Sequence, residues 1–258
     1  MLRRCGPASD CLEIRRHLCP HGATPRHTRR SIRTVERGGP GEVRGRRRCP
    51  LRRVLGPLRH AGLWDDLALS ERDLAETTIV TMDAQQQVNA TWRLEAAQVL
   101  MWALGLVPHL PPFDTQAKHD FLKRIPTGDI RRFVSSACLR SEQEIDQARD
   151  DAELWHWRSR TRQLVEDGDE FPASDQLRAA GFNTYDDIVR VTARNLAEEG
   201  RIQATIGEDF PAKGKAYREL SAVEWSVVRS ITMERHFALN WLCGFAPDNK
   251  WDETPTDT

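Results

Sequence analysis

The chain has 258 residues, of which 39% are hydrophobic and 29% are charged, and its formal net charge at pH 7 is zero. This length is sufficient for one large domain or two small ones. No apolar run approaches the roughly 18 residues of a membrane span, and no apolar segment follows the N-terminal arginines as in a secretory signal. The sequence therefore predicts a cytoplasmic protein without membrane association.

The zero net charge conceals two segments of opposite charge. Residues 1–60 contain 16 Arg, no Lys and four acidic residues, a net charge of +12, whereas residues 61–258 carry 22 basic and 34 acidic residues, a net charge of −12. Residues 1–50 have no aromatic residue and no sustained apolar periodicity. Such a segment buries too little surface to offset its ordering entropy, so we predict a disordered Arg-rich leader over 1–50 and a folded domain over 51–258.

Several interpretations of the leader remain open. It is a basic arm that binds nucleic acid, an organelle-targeting segment, an unstructured tail, or a stretch translated from a start codon assigned too early. Its four cysteines lack the close C-x₂₋₄-C pair typical of zinc sites, and we predict no metal and no cofactor.

The first elements of the folded part are short. The sequence of residues 51–67 predicts a short helical segment at the start of the folded domain, broken near Gly56-Pro57. A short capped helix is predicted over Ser70–Glu76. A long helix is predicted over Asp83–Leu104, the second major helix of the domain beside the one described below for Ser221–Gly244, with Asp83 as its N-cap. On a helical wheel, its core stripe includes Val88, Val99, Ala96, Ala103, Trp102 and, unexpectedly, Glu95.

Loops and helices alternate in the middle of the chain. Val107–Phe113 predicts a proline-stiffened loop, and Asp114–Ile125 a short helix. Ser141 opens a third long helix, to about Glu166, whose narrow apolar side, with Trp157 outside it, is typical of a surface helix docked on the core. Tyr185–Glu199 predicts a fourth helix, and residues 201–217 a small hairpin or an irregular loop.

The stretch Ser221–Gly244 predicts the central helix of the domain. Ser221 and Glu224 have capping-box spacing, and Gly244 is suited to a helix C-cap. The helix is apolar almost all round, which is typical of a core helix. Arg235 falls inside its apolar stripe and therefore needs a partner.

Glu95 and Arg235 are predicted to meet, because they place charges of opposite sign in the apolar stripes of two helices. Leaving either charge unpaired in the core costs several kcal/mol, so we predict a buried ion pair. His236 lies one step round the helix, and Trp251 is placed to hold the C-terminal tail over the helix end. The tail supplies further candidate acceptors in Asp252, Asp257 and the terminal carboxylate.

Two functional interpretations compete for this site. In the first, a buried Glu-Arg-His network supports a non-catalytic interaction or ligand-binding module with a protein or small-molecule partner. In the second, Glu95, His236 and Asp252 perform acid–base or metal-dependent hydrolytic chemistry. The sequence does not decide whether the protein is an enzyme, since it contains no P-loop, G-x-G-x-x-G, H-E-x-x-H or G-x-S-x-G motif. Nucleic acid is expected only through residues 1–50.

Three stretches carry a family resemblance: WRLEAAQVLMWALG (92–105), SEQEIDQARDDAELWHWRSR (141–160) and ERHFALNWLCGFAPDNKWDETPTDT (234–258). Together they resemble the bacterial domain-of-unknown-function family 4272, over roughly residues 51–258. The resemblance implies a mostly helical bacterial domain and assigns no activity. The motif residues correspond here to Trp92, Arg93, Glu95, Glu234, Arg235, His236, Trp251, Asp252 and Asp257. We therefore predict a single all-α domain, with one small hairpin near 201–217 and a disordered N-terminal leader.

Overall fold

The computed structural model describes residues 52–77, 81–125 and 128–256, all within one compact unit that spans residues 51–258. Within these ranges the chain forms eight α-helices: α1 (Arg52–Ala61), α2 (Leu69–Glu76), α3 (Ala84–Ala103), α4 (Ile130–Ser136), α5 (Glu142–Asp167), α6 (Asp175–Ala179), α7 (Tyr185–Glu198) and α8 (Ala222–Leu242). The remaining elements are an antiparallel hairpin of β1 (Pro211–Ala212) and β2 (Lys215–Ala216), and 3-10 turns at His119–Arg124, Tyr217–Glu219, Pro247–Asn249 and Trp251–Glu253. The all-α fold with one small hairpin is confirmed. The leader predicted for residues 1–50 lies outside the described residues.

Helix α8 forms the centre of the core, where it packs against α5 and α3. Its N-terminus is closed by a capping box, in which the Ser221 side chain accepts from the Glu224 N–H and the Glu224 carboxylate accepts from the Ser221 N–H at 2.8 Å. Nearly every side chain from Val228 to Asn240 on its inner faces is buried. The helix ends before Gly244, which takes a φ of 76°. Both predicted bounds are confirmed.

Helix α3 begins after Asp83, whose carboxylate accepts from the Gln86 N–H at 2.7 Å, as predicted. Burial starts only at Glu95, so the neighbouring helices cover the C-terminal half of α3 and leave its first half in solvent. The assignment of Val88 to the core was therefore wrong, since this side chain is 47% exposed.

Helix α5 is a core helix, and the prediction of a surface helix was wrong. Trp157, placed outside the apolar stripe, is only 5% exposed. The buried side of α5 also contains Arg158, Ser159 and Thr161, all of which form hydrogen bonds. Because hydrogen-bonded polar residues share this buried face with apolar ones, the apolar stripe seen in the sequence is narrower than the face that is actually buried.

Two further predictions for the short elements were wrong. Helix α1 is not broken near Gly56-Pro57 but continues through Pro57 to residue 61. It packs against α4, whose Arg131 donates to the His60 carbonyl at 2.7 Å, so tertiary contacts outweigh the missing backbone hydrogen bond. The helix predicted over residues 114–125 is confined to the 3-10 turn His119–Arg124. Helices α4 and α6 were not predicted.

The hairpin predicted near residues 201–217 is confirmed. Ala212 pairs with Lys215, and the two turn residues Lys213 and Gly214 both have positive φ, 54° and 74°, as a two-residue hairpin loop requires. A lysine rarely adopts this conformation. Here its N–H donates to the Asp114 carboxylate at 2.7 Å, which fixes the turn against the loop that follows α3.

Candidate functional site

Glu95 and Arg235 meet in the core, as the two helical wheels predict. The guanidinium donates from Nε and Nη2 to Glu95 Oε2 at 3.0 and 2.9 Å. The two residues are 1% and 0% exposed, so the pair is sealed from solvent. The second oxygen, Glu95 Oε1, accepts from the Ala117 N–H at 2.7 Å. Burial lowers the pKa of Arg235, and the charge of Glu95 opposes this shift.

The remaining donors of Arg235 hold a loop rather than a ligand. Nη1 donates to the carbonyls of Pro111 and Pro112 at 2.6 and 3.2 Å, and Nη2 also donates to the Thr115 carbonyl at 2.8 Å. With the two bonds to Glu95, all five N–H groups of the guanidinium have partners within the protein. No donor is left to bind a substrate anion.

Two other arginines hold the same loop, residues 106–118, which we call the clamped loop. Arg140 donates to the Val107 and Pro108 carbonyls at 3.4 and 3.1 Å, and Arg124 donates to the Leu106 carbonyl at 2.9 Å. The clamped loop is therefore fixed along most of its length by side-chain donors, although it has no regular secondary structure.

His236 contacts α5 and not the Glu95–Arg235 pair. Its Nδ1 lies 3.0 Å from Nδ1 of His156, so one ring donates and the other accepts. The pKa of His156 is lowered to about 4, mainly by burial and in part by the charges of Arg229 and Arg160. The pKa of His236 is lowered to about 2, mainly by burial and in part by His156 and Arg149. Both rings are therefore neutral at pH 7. Nε2 of His236 is buried and has no hydrogen-bond partner among the described residues.

Glu234 and Arg93 form a second contact between α3 and α8. Arg93 Nη1 donates to Glu234 Oε2 at 3.0 Å, and its guanidinium lies 4.7 Å above the Phe237 ring. Burial raises the pKa of Glu234, an effect that Arg93 opposes. Phe237 also packs edge-on against Trp251 at 4.7 Å, so the tail folds back onto α8 as predicted. Trp92, one turn before Ala96 on α3, is partly buried.

Asp252 has a role that the sequence did not suggest. Its carboxylate accepts from the backbone N–H of Ser70, at 3.1 Å, and from the Ser70 hydroxyl, so it caps the first turn of α2 from 182 residues away. Asp252 is therefore not a partner of Arg235, and Asp257 lies outside the described residues. Glu95, His236 and Asp252, all within the described part of the chain, each bind a different partner, and no hydrogen bond joins any two of them.

A second buried ion pair escaped the sequence analysis. Arg158 donates from Nε and Nη2 to the two oxygens of Asp209, both at 2.7 Å, and Asp209 is 0% exposed. Asp209 also accepts from the N–H groups of Phe210 and Arg218. Burial alone would raise the pKa of Asp209, but Arg158 and these amides outweigh it and hold the pKa below its usual value. The sequence feature that could have indicated this ion pair is the position of Arg158 within the aromatic run W-H-W-R-S-R.

The described residues contain no group of three or more His, Cys, Asp or Glu side chains that could hold a metal ion. Likewise, none of the described helices is long and apolar enough to cross a membrane.

Residues 46–173 match the family model described as Domain of unknown function (DUF4272). The chain belongs to this family. No curated protein and no solved structure matches it. The matched part of the DUF4272 chain contains Glu95, Arg158 and the clamped loop, and it ends before α8 and the tail.

Proposed function

We propose that this DUF4272 protein is a cytoplasmic, non-catalytic interaction module, and that the clamped loop presents a preorganised surface to a protein partner. The observation that carries the proposal is the use of a buried ion pair to fix an irregular loop. A buried pair generally adds less stability than apolar packing of the same volume, so its best-attested use is to specify one conformation. Here the conformation specified is that of the clamped loop.

The composition of the clamped loop supports a binding role. Its exposed residues are Pro108, His109, Pro112, Gln116 and Lys118. Prolines lower the entropy lost when a segment is ordered, and loops held by a rigid scaffold are frequent binding surfaces. A loop that is already fixed before binding loses little freedom in a complex, which favours affinity.

The sealed state of the ion pair supports a non-catalytic role. General acids, general bases and anion clamps must reach the reacting atoms, and Glu95 and Arg235 make all their contacts with the protein itself. We propose a cytoplasmic location because Cys138 and Cys243 are free thiols, which is compatible with a reducing environment.

The binding role is tested by incorporating a photo-crosslinking amino acid at position His109 and irradiating the cells that produce the protein. We expect a discrete adduct, identified by mass spectrometry, that is missing when the same amino acid is placed at Val165, an exposed position on α5. The adduct should weaken when Pro112→Gly loosens the clamped loop without altering the ion pair. Equal adducts at both positions, or none, would refute the proposal.

The non-catalytic role is tested by metal analysis of the purified protein. We expect no stoichiometric metal. One equivalent of metal that is lost on His236→Ala would instead support the hydrolytic interpretation of Glu95, His236 and Asp252.

A further inference from the structure

Helices α5 and α8 pack antiparallel along a polar seam. The contacts progress in opposite directions along the two helices, through the pairs Asp146–Cys243, Arg149–Asn240, His156–His236 and Arg162–Trp225. This register is regular, so it predicts which residues lie at the same level between the observed contacts.

Arg160 and Arg229 lie at the same level of this seam. Arg160 is one turn beyond His156 on α5, and Arg229 is one turn beyond Trp225 on α8, so both fall between the histidine contact and the tryptophan contact. Both are exposed, and both guanidinium charges act on His156, whose pKa they help to lower. The register gives the geometric reason: Arg160 is four residues from His156 on α5, and Arg229 is seven residues, or two turns, from its partner His236 on α8.

The two arginines differ from their neighbours in having no acidic partner. Within the described part of the chain, neither guanidinium forms an ion pair or a hydrogen bond; Arg229 only lies 5.6 Å over the Trp225 ring. The acidic residues nearby on α5 are engaged elsewhere, Glu153 by Arg149 and Glu166 by Arg162. This is unusual in a segment, residues 61–258, that carries a net charge of −12.

We propose that Arg160, Arg229 and His156 form a binding site for a phosphate group. Two guanidinium groups that flank one position match the donors that phosphate oxyanions prefer. Neutral His156 supplies a third donor when its Nδ1 accepts from His236 Nδ1–H, because its Nε2 then carries the proton. In this tautomer the buried Nε2 of His236 is a lone pair rather than an N–H, which is the less costly group to leave without a partner.

The phosphate is either free or part of a small metabolite, and titration distinguishes these sources. The full-length protein is titrated with inorganic phosphate, and separately with AMP, at constant ionic strength set with sodium chloride, and the imidazole resonances of His156 are followed by NMR. We expect saturable shifts with inorganic phosphate at millimolar affinity, about 1 mM. Tighter binding of AMP would show that the site takes an esterified phosphate; equal affinity would show that it recognises the phosphate group alone.

Matched variants decide whether the site is specific. Arg160→Gln and Arg229→Gln should each weaken phosphate binding about tenfold, whereas Arg194→Gln, at an exposed arginine on α7, should leave it unchanged. No saturable shift up to about 20 mM phosphate, or equal weakening by all three variants, would overturn the proposal.

Thermal unfolding provides a second readout that does not depend on resonance assignment. Because Arg160 and Arg229 repel each other in the empty site, Arg160→Gln should raise the unfolding midpoint in chloride and reduce the further rise that phosphate gives to the wild type. A lower midpoint in chloride, with the phosphate-dependent rise retained, would contradict the proposed site. The site shares no residue with the clamped loop, so its failure would leave the proposed function intact.

Discussion

Replacement of Arg235 by Met tests whether the buried pair organises the domain. The variant removes five hydrogen bonds and leaves Glu95, which is 1% exposed, with one remaining donor, the Ala117 N–H. An uncompensated charge left in a core costs on the order of 3–5 kcal/mol. The carbonyls of Pro111, Pro112 and Thr115 also lose their donors, but these can be hydrated if the clamped loop lifts.

The loss is measured by urea denaturation, and the response of the loop by amide hydrogen exchange. We expect the free energy of unfolding to fall by about 3–5 kcal/mol and the amides of residues 106–118 to exchange faster. Arg59→Met is the matched control, because it removes an arginine whose side chain is 57% exposed and whose partner, Glu76, is 63% exposed, so no buried charge is left unpaired. Its cost should be about 1 kcal/mol.

A double-mutant cycle isolates the pair itself. Combining Glu95→Gln with Arg235→Met should cost at least about 2 kcal/mol less than the sum of the two single changes, since no charge is then left unpaired. Additive costs, or an Arg235→Met variant no less stable than Arg59→Met, would show that the pair does not hold the core together.

Three further predictions concern the other polar contacts. Both histidines have folded-state pKa values, about 4 and about 2, below the 6.5 of the unfolded chain, so the free energy of unfolding is highest above pH 6.5 and falls progressively as the pH drops from 6.5 towards those folded-state values. Urea titrations should show a loss of about 2–3 kcal/mol between roughly pH 7.5 and pH 5.5, about halved in His156→Gln; a flat profile would mean that the imidazoles are already charged. Asp209→Asn should cost on the order of 3–5 kcal/mol by urea denaturation because it leaves Arg158 buried without a counter-charge, and a loss below about 1 kcal/mol would argue against that pair. Asp252→Ala should cost only about 1 kcal/mol but should speed amide exchange in the first turn of α2, as expected for a lost cap, and unchanged exchange there would show that the tail does not cap this helix.

The sequence predicted best where one physical rule acts alone. Ser221, Asp83 and Ser141 each cap a long helix, and the caps defined the helix starts because a capping side chain satisfies local backbone donors. Glu95 and Arg235 were found because both are charges on regular apolar stripes. Two such charges of opposite sign have few alternatives to pairing.

The sequence failed where burial and polarity coincide. The buried face of α5 includes Arg158 and His156, so its partners Asp209 and His236 could not be inferred from apolar periodicity. Asp209 lies in an irregular segment, where the sequence has no helical or strand periodicity that would show which side chains are buried. The contact between Asp252 and Ser70 depends on where the tail ends in space, which no local pattern encodes.

The separation of Glu95 from Arg235 along the chain has a consequence for synthesis on the ribosome. The two residues are 140 positions apart, and translation proceeds at about 5–20 residues per second. An acidic group that belongs in the core therefore waits about 7–28 s for its counter-ion, during which α3 cannot take up its final packing. Closure of the nascent domain must therefore be a late event, timed by the emergence of α8.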